Sequence, residues 1–283
     1  VIPVFADAPV LAGALAAALA YAAARCLVGP ACRLLAEGGM AAENFRKDVI
    51  PVGAGIALPL ASLPAIALLG PPDVALVWLL VLFGFGLLGF VDDAAGKGEH
   101  GGLAGHARSL LRGRLTTGAL KALFGGGLAL YAGWSLHGHP VPALLAGAVI
   151  ALSANAVNLL DVRPGRAIKG ALALAACGWA ALAVSGPAPA RAEAAALLAL
   201  APFGAALALL GGDLKARFMI GDAGANALGA SAGMVLASLP RPWQAGFLVV
   251  LALVHIASER TSLSEVIARN RFLKWLDDLG RRA

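Results

Sequence analysis

The 283-residue sequence is 60% hydrophobic and only 13% charged, with a mean hydropathy of +0.82, whereas soluble domains are about half apolar and about a quarter charged. That balance excludes a cytosolic globular enzyme, a disordered tail and a secreted disulfide scaffold. The formal charge of +6 matters less than where the basic residues fall.

The 36 glycines and abundant alanines, against 6% aromatics, suit membrane helices whose small residues let backbones approach closely. Cys26, Cys32 and Cys177 are too scattered for a disulfide framework or a metal motif. No Lys or Arg precedes the first apolar run, so the basic n-region of a signal peptide is not seen.

Apolar runs of about 17–25 residues mark membrane spans. In chain order they fall near 8–28, 50–69, 73–91, 117–136, 140–160, 168–185, 192–210, 224–240 and 242–259. The fold class this predicts is an all-α polytopic membrane protein of about nine helices, in one domain over 1–260 with a tail at 261–283. The linkers alternate in character. Those at 70–73, 137–140, 185–190 and 240–242 are short and poor in charge, and of the 22 Lys and Arg only Arg191 and Arg241 belong with them. The others carry Arg33, Arg46, Lys47, Lys97, Arg108, Arg112, Arg114, Arg163, Arg166, Lys169, Lys215 and Arg217. The positive-inside rule makes that second set cytoplasmic, with the N-terminus outside and the C-terminus inside. In the tail, Leu263, Val266, Ile267, Phe272, Leu273, Trp275, Leu276 and Leu279 recur at helical spacing among charges. This describes an amphipathic helix, either lying at the cytoplasmic interface or packed on the neighbouring loops.

Three polar clusters adjoin spans on the basic side. Span three ends in Asp92-Asp93 with Lys97 beyond, and paired carboxylates at an apolar helix end must be hydrated, paired or metal-bound. Span five ends in Asn155, Asn158 and Asp161, whose spacing puts them on one helical face. That face can hold a metal, a phosphate or a base edge, or simply hydrogen-bond to another helix. Span eight opens on Phe218-Met219-Ile220-Gly221-Asp222-Ala223-Gly224, a carboxylate between glycines at a helix start suited to phosphate. Converging, Asp92, Asp93, Asp161, Asp222 and Asn158 would offer hard oxygens to Mg²⁺. Lys97, Lys121, Lys215 and the arginines would supply charge for a diphosphate. No nucleic-acid partner is expected.

The order Asp-Asp-x-x-x-Lys, Asn-x-x-Asn-x-x-Asp, Phe-Met-x-Gly-Asp-x-Gly resembles the polyprenyl-phosphate N-acetylhexosamine-1-phosphate transferases. Asn44 to Gly55 is similar to that family's early Ile-Pro-x-x-Gly-Gly loop, so the likeness runs from about residue 44 to about 230. It implies a membrane enzyme that transfers a sugar-1-phosphate from a UDP-sugar to polyprenyl phosphate and releases UMP. By that resemblance Asp222 and Asn158 would hold Mg²⁺, and Asp92 and Asp93 would receive the lipid phosphate. Asp161 would sit near the nucleotide, Lys97 and Lys121 near phosphates, and Asn155, Arg163, Arg166 and Lys215 in substrate binding. Family members are often homodimers, and one is expected here.

The sequence also departs from the family. After Asp161 comes Val162-Arg163-Pro164-Gly165-Arg166, with Pro164 where an acidic residue is common, and Ala225 stands where Ser is common. The His-rich loop and tenth span of the pentapeptide-transferase branch are missing, leaving His255 alone. A muramoyl-pentapeptide donor is therefore disfavoured and UDP-N-acetylglucosamine is the expected one. A catalytically inactive relative that binds lipid phosphate, and a secondary transporter, are the competing readings. Acidic residues gathered at one face rather than the midplane weigh against the transporter.

Overall fold

The computed structural model describes residues 8–95, 116–186 and 188–281. Apart from one short hairpin, the regular structure of the described residues is helical, as in an all-α membrane protein. Six stretches among the described residues are long and apolar enough to cross a bilayer: Pro9–Glu37, Pro72–Ala95, Pro140–Asn158, Arg166–Val184, Ala190–Leu214 and Arg241–Ser258.

The first of these is α1 (Pro9–Glu37), longer than the 8–28 stretch expected because helical backbone continues through Pro30. A two-stranded antiparallel hairpin follows, β1 (Ala41–Glu43) and β2 (Val49–Pro51), pairing Ala41 with Pro51 and Glu43 with Val49. Its turn is closed by Asn44, whose Oδ1 accepts from the backbone N–H of Arg46 at 2.7 Å and of Asp48 at 3.0 Å. Next come α2 (Ala57–Leu69) and α3 (Pro72–Ala95). The 117–136 stretch is interrupted: α4 (Thr117–Leu120) passes through a π-helical segment, Lys121–Gly125, into α5 (Gly126–His137).

Beyond lie α6 (Pro140–Asn158) and α7 (Arg166–Val184). The span expected at 192–210 is divided into α8 (Ala190–Leu198) and α9 (Leu200–Leu214). Pro202 explains the division, since it has no N–H to give and its ring crowds the Leu198 carbonyl. The chain continues as α10 (Gly221–Ala237), α11 (Arg241–Ser258), α12 (Leu263–Arg269) and α13 (Arg271–Asp278). The tail is therefore two short helices rather than one. They part at Asn270, whose side chain caps α13 by accepting from Phe272 N at 3.0 Å and Leu273 N at 3.1 Å.

At the centre is α10, with every residue buried except Asp222. Its Gly, Ala and Ser content lets α3, α6 and α7 close in around it. A Cβ on Gly229 would fall 2.6 Å from Ala154 Cα, and one on Gly233 2.6 Å from Ile150 Cα. α8 is anchored by two indoles: Trp78 Nε1 donates to Ala195 O at 3.0 Å and Trp179 Nε1 to Ala196 O at 2.9 Å.

Polar side chains collect at two ends of this bundle. At one, Arg191 pairs with Asp73 and donates to Ser135 Oγ at 2.7 Å. There also Gln244 Nε2 donates to the carbonyls of Ala237 and Leu239 at 2.9 and 2.7 Å. These residues come from the charge-poor linkers and their flanks. The other end gathers the acidic motifs.

Candidate functional site

Asp92 and Asp93 close α3, and adjacency on a helix turns their side chains about 100° apart. Asp93 faces the start of α10. Its Oδ1 accepts from the Asp222 backbone N–H at 2.9 Å and its Oδ2 from that of Ala223 at 3.0 Å. The residue preceding α10, Ile220, contributes no side-chain cap, so a carboxylate from another helix satisfies N–H groups that a helix start otherwise leaves open. Asp92 turns instead toward Lys121, which ion-pairs with both Asp92 and Asp222. Asn158, the last residue of α6, donates through Nδ2 to Asp222 Oδ2 at 3.2 Å.

Four stretches far apart in sequence thus meet around Asp222. Two backbone features hold them. Gly221 has φ of +65°, a conformation that side chains rarely tolerate, and this turn brings the chain into α10 directly beneath Asp93. The 51–55 loop lies alongside through main-chain bonds: Met219 N to Pro51 O at 2.8 Å, Ala54 N to Met219 O at 3.0 Å and Gly55 N to Ile220 O at 2.9 Å. The early loop and the Gly-Asp motif therefore form one structural unit. Lys121 opens the π-helical segment, an irregularity that often marks functional positions.

Below Asp92 and Lys121 a cavity of about 520 Å³ descends between α3, the 117–126 segment, α6 and α10. Its walls are mostly apolar, with Phe85, Leu88, Ala151 and Leu152 among them, while Asn155, Asn226 and Glu259 are its other polar lining groups beside Thr117. Polar groups beside mostly apolar walls are the lining expected of a site for an amphiphile.

Of the other expected site residues, Asp161 lies in the turn after α6. Burial first, then the carboxylates of Asp213, Asp222 and Asp93, push its carboxyl well above the ordinary range. Arg163 and Lys215 are exposed on loops at the same end. Arg166 is 5% exposed, and its guanidinium faces the C-terminal helices rather than the Asp222 cluster. It donates to the two oxygens of Asp277 at 2.8 and 2.7 Å and to Ser264 Oγ at 2.8 Å. Lys97 lies outside the described residues.

Asp213 is not among the candidates named from the sequence. It is 4% exposed, and its Oδ2 accepts from Gly165 N at 2.6 Å, pinning the loop that follows Asp161. The signal was present in Gly211-Gly212-Asp213, an acid at the end of an apolar helix.

Among the described residues no group of three or more His, Cys, Asp or Glu forms a preassembled metal cage. The donor chemistry nevertheless fits a hard divalent cation. Asn158 Oδ1 is buried without a hydrogen-bond partner, although its amide lies against Asp222. Asp92, Asp93, Asp161 and Asp222 share an end where Lys121 is, among the described residues, the cation that ion-pairs with them. Asp92, Asp222 and Asn158 are the groups placed to supply oxygens.

No family model matches the chain, and no curated protein matches it significantly.

Proposed function

We propose that the protein transfers a sugar-1-phosphate from a UDP-N-acetylhexosamine, with UDP-N-acetylglucosamine the first candidate, to polyprenyl phosphate. In this reading it crosses the cell membrane nine times, with α2, the 117–137 helix and α10 as the shorter spans. The N-terminus is outside, the acidic end cytoplasmic, and the C-terminal helix at the cytoplasmic interface. The observation that carries the reading is the meeting of Asp92, Lys121, Asn158 and Asp222 at the head of an apolar channel. A soluble nucleotide and a lipid headgroup can meet there without either leaving its own phase.

Phosphoryl transfer is mainly positioning and charge neutralisation. A lipid phosphate oxygen bonds to the β-phosphorus of the UDP-sugar while the bond from that phosphorus to the bridging oxygen breaks, and UMP carries the oxygen away. Lys121, on the channel wall, neutralises the phosphate of the acceptor. Asp92, also on that wall, accepts the proton when the acceptor arrives as its monoanion. Asp93 fixes the backbone of Asp222, and Asp213 fixes the loop bearing Asp161. Asp222 and Asn158 would hold Mg²⁺, which would supply charge neutralisation for the diphosphate.

The test is UMP release by the purified chain from UDP-N-acetylglucosamine and undecaprenyl phosphate with Mg²⁺. Asp222→Ala, at unchanged expression and thermal stability, should reduce turnover by about 10²–10³-fold, as loss of a principal electrostatic group does. Turnover that persists in this variant, or its absence from the wild type across a panel of UDP-sugars, overturns the proposal.

A further inference from the structure

The C-terminal helix is packed inside out. An amphipathic helix on a folded domain turns its apolar stripe inward, yet the one buried residue of α13 is Asp277. Phe272, Trp275 and Leu279 are 64%, 58% and 53% exposed, and the rings of Phe272 and Trp275 stack 6.1 Å apart.

The charged seat explains this orientation. Asp277 receives the fork of Arg166 and also pairs with Arg281. Lys169 Nζ donates to the carbonyls of Leu276 at 2.9 Å, Asp277 at 2.5 Å and Leu279 at 3.2 Å, placing a cation on the C-terminal end of the helix where the dipole favours it. Arg166 and Lys169 belong to the first turn of α7, one of the helices fit to cross a bilayer. The seat therefore holds α13 level with the mouth of a span, its apolar face turned away from the protein. Arg271 and Lys274, both exposed, flank that face, and neither enters an ion pair among the described residues. Aromatic rings bordered by unpaired cations are the chemistry of an interfacial helix on a negatively charged bilayer.

We infer that α13 is a docking surface for anionic bilayer lipid, clasped to α7 by Arg166 and Asp277. The inference rests on the proposed interfacial placement of the tail and adds the lipid chemistry and the seat.

The test uses the full chain reconstituted in phosphatidylcholine vesicles with and without phosphatidylglycerol, reading the emission difference between wild type and Trp275→Phe. In phosphatidylglycerol vesicles the Trp275 signal should shift to the blue, be quenched by acyl-brominated lipid and be inaccessible to aqueous iodide. The double variant Arg271→Glu, Lys274→Glu, altered only at exposed positions, should lose the phosphatidylglycerol dependence. Iodide quenching undiminished by the anionic lipid overturns the inference, as does shielding from both quenchers, which would mean a protein cover. Identical behaviour in the two vesicle types also overturns it. Because UMP is not read, failure here is separate from failure of the transferase proposal.

Discussion

Replacing Asp93 with Ala distinguishes a group that touches substrate from one that builds the site. The substitution removes the acceptor of two backbone N–H groups in the first turn of α10, at 2.9 and 3.0 Å. A stranded donor costs about 1–3 kcal/mol. At a half-buried helix start that water can partly reach, the lower figure applies to each bond, and loss of a carboxylate near the positive end of the helix adds about 0.3–1 kcal/mol. Together the penalty is about 2–3 kcal/mol, which at about 2–4 °C per kcal/mol corresponds to a fall of about 4–12 °C in Tm. Asp92→Ala makes a contrasting control. It breaks one contact of Lys121, which keeps Asp222, so it should cost less than about 1 kcal/mol. The assay is thermal unfolding of both variants beside UMP release, with Asp93→Asn restoring one acceptor and most of the lost Tm. If Asp93→Ala melts with the wild type and is still inactive, Asp93 acts on substrate and the capping argument is wrong.

Asp161→Asn removes a half-buried carboxyl crowded by like charges. Its folded pKa is raised, so ionising it in the native state is unfavourable, and the gain in Tm on substitution should grow as pH rises above about 4; a gain that shrinks with pH, in chelator without nucleotide, refutes this. Gly89→Ala would drive a methyl into the Asp222 and Ala223 backbone, costing about 1–3 kcal/mol and turnover. Gly127→Ala, with nothing within 4 Å of the added methyl, should be neutral or stabilising by about 0.5–1 kcal/mol, and equal effects on Tm would show that α3 and α10 are not in close contact. Although burial raises the Asp277 carboxyl, hydrogen bonds and charge from Arg166 and Arg281 hold it down at about 2. Its contribution is therefore complete above the unfolded value of about 3.9 and lost as pH falls through about 2. Asp277→Asn should abolish that part of the acid transition, measured by hydrogen exchange of the α13 amides.

The helical class was legible because hydrocarbon-length apolar runs leave few alternatives, and the two polar ends because charge alternates from linker to linker. The meeting of Asp92, Asn158 and Asp222 was legible because each acid or amide sits where a span stops. Lys121 was visible as a residue, but its role depends on a π-helical turn that no residue pattern announced. The substrate role expected of Arg166 failed to anticipate Asp277, 111 residues onward. Local sequence gives the donor fork of an arginine but not the acid that will fill it. Asp93 shows the same limit: its partners are backbone groups, which carry no signature in side-chain identity.

The encasement of α10 has a consequence for depth. Seventeen residues at about 1.5 Å each rise about 26 Å, short of the roughly 30 Å of bilayer hydrocarbon. A segment this short in a lipid-facing position would pinch the membrane around itself. Ringed by other helices, it can be shorter than the hydrocarbon is thick without its ends meeting lipid. In the proposed reaction a water-soluble donor would then have to reach below the membrane surface, while the headgroup of a membrane-resident acceptor would not need to be lifted out.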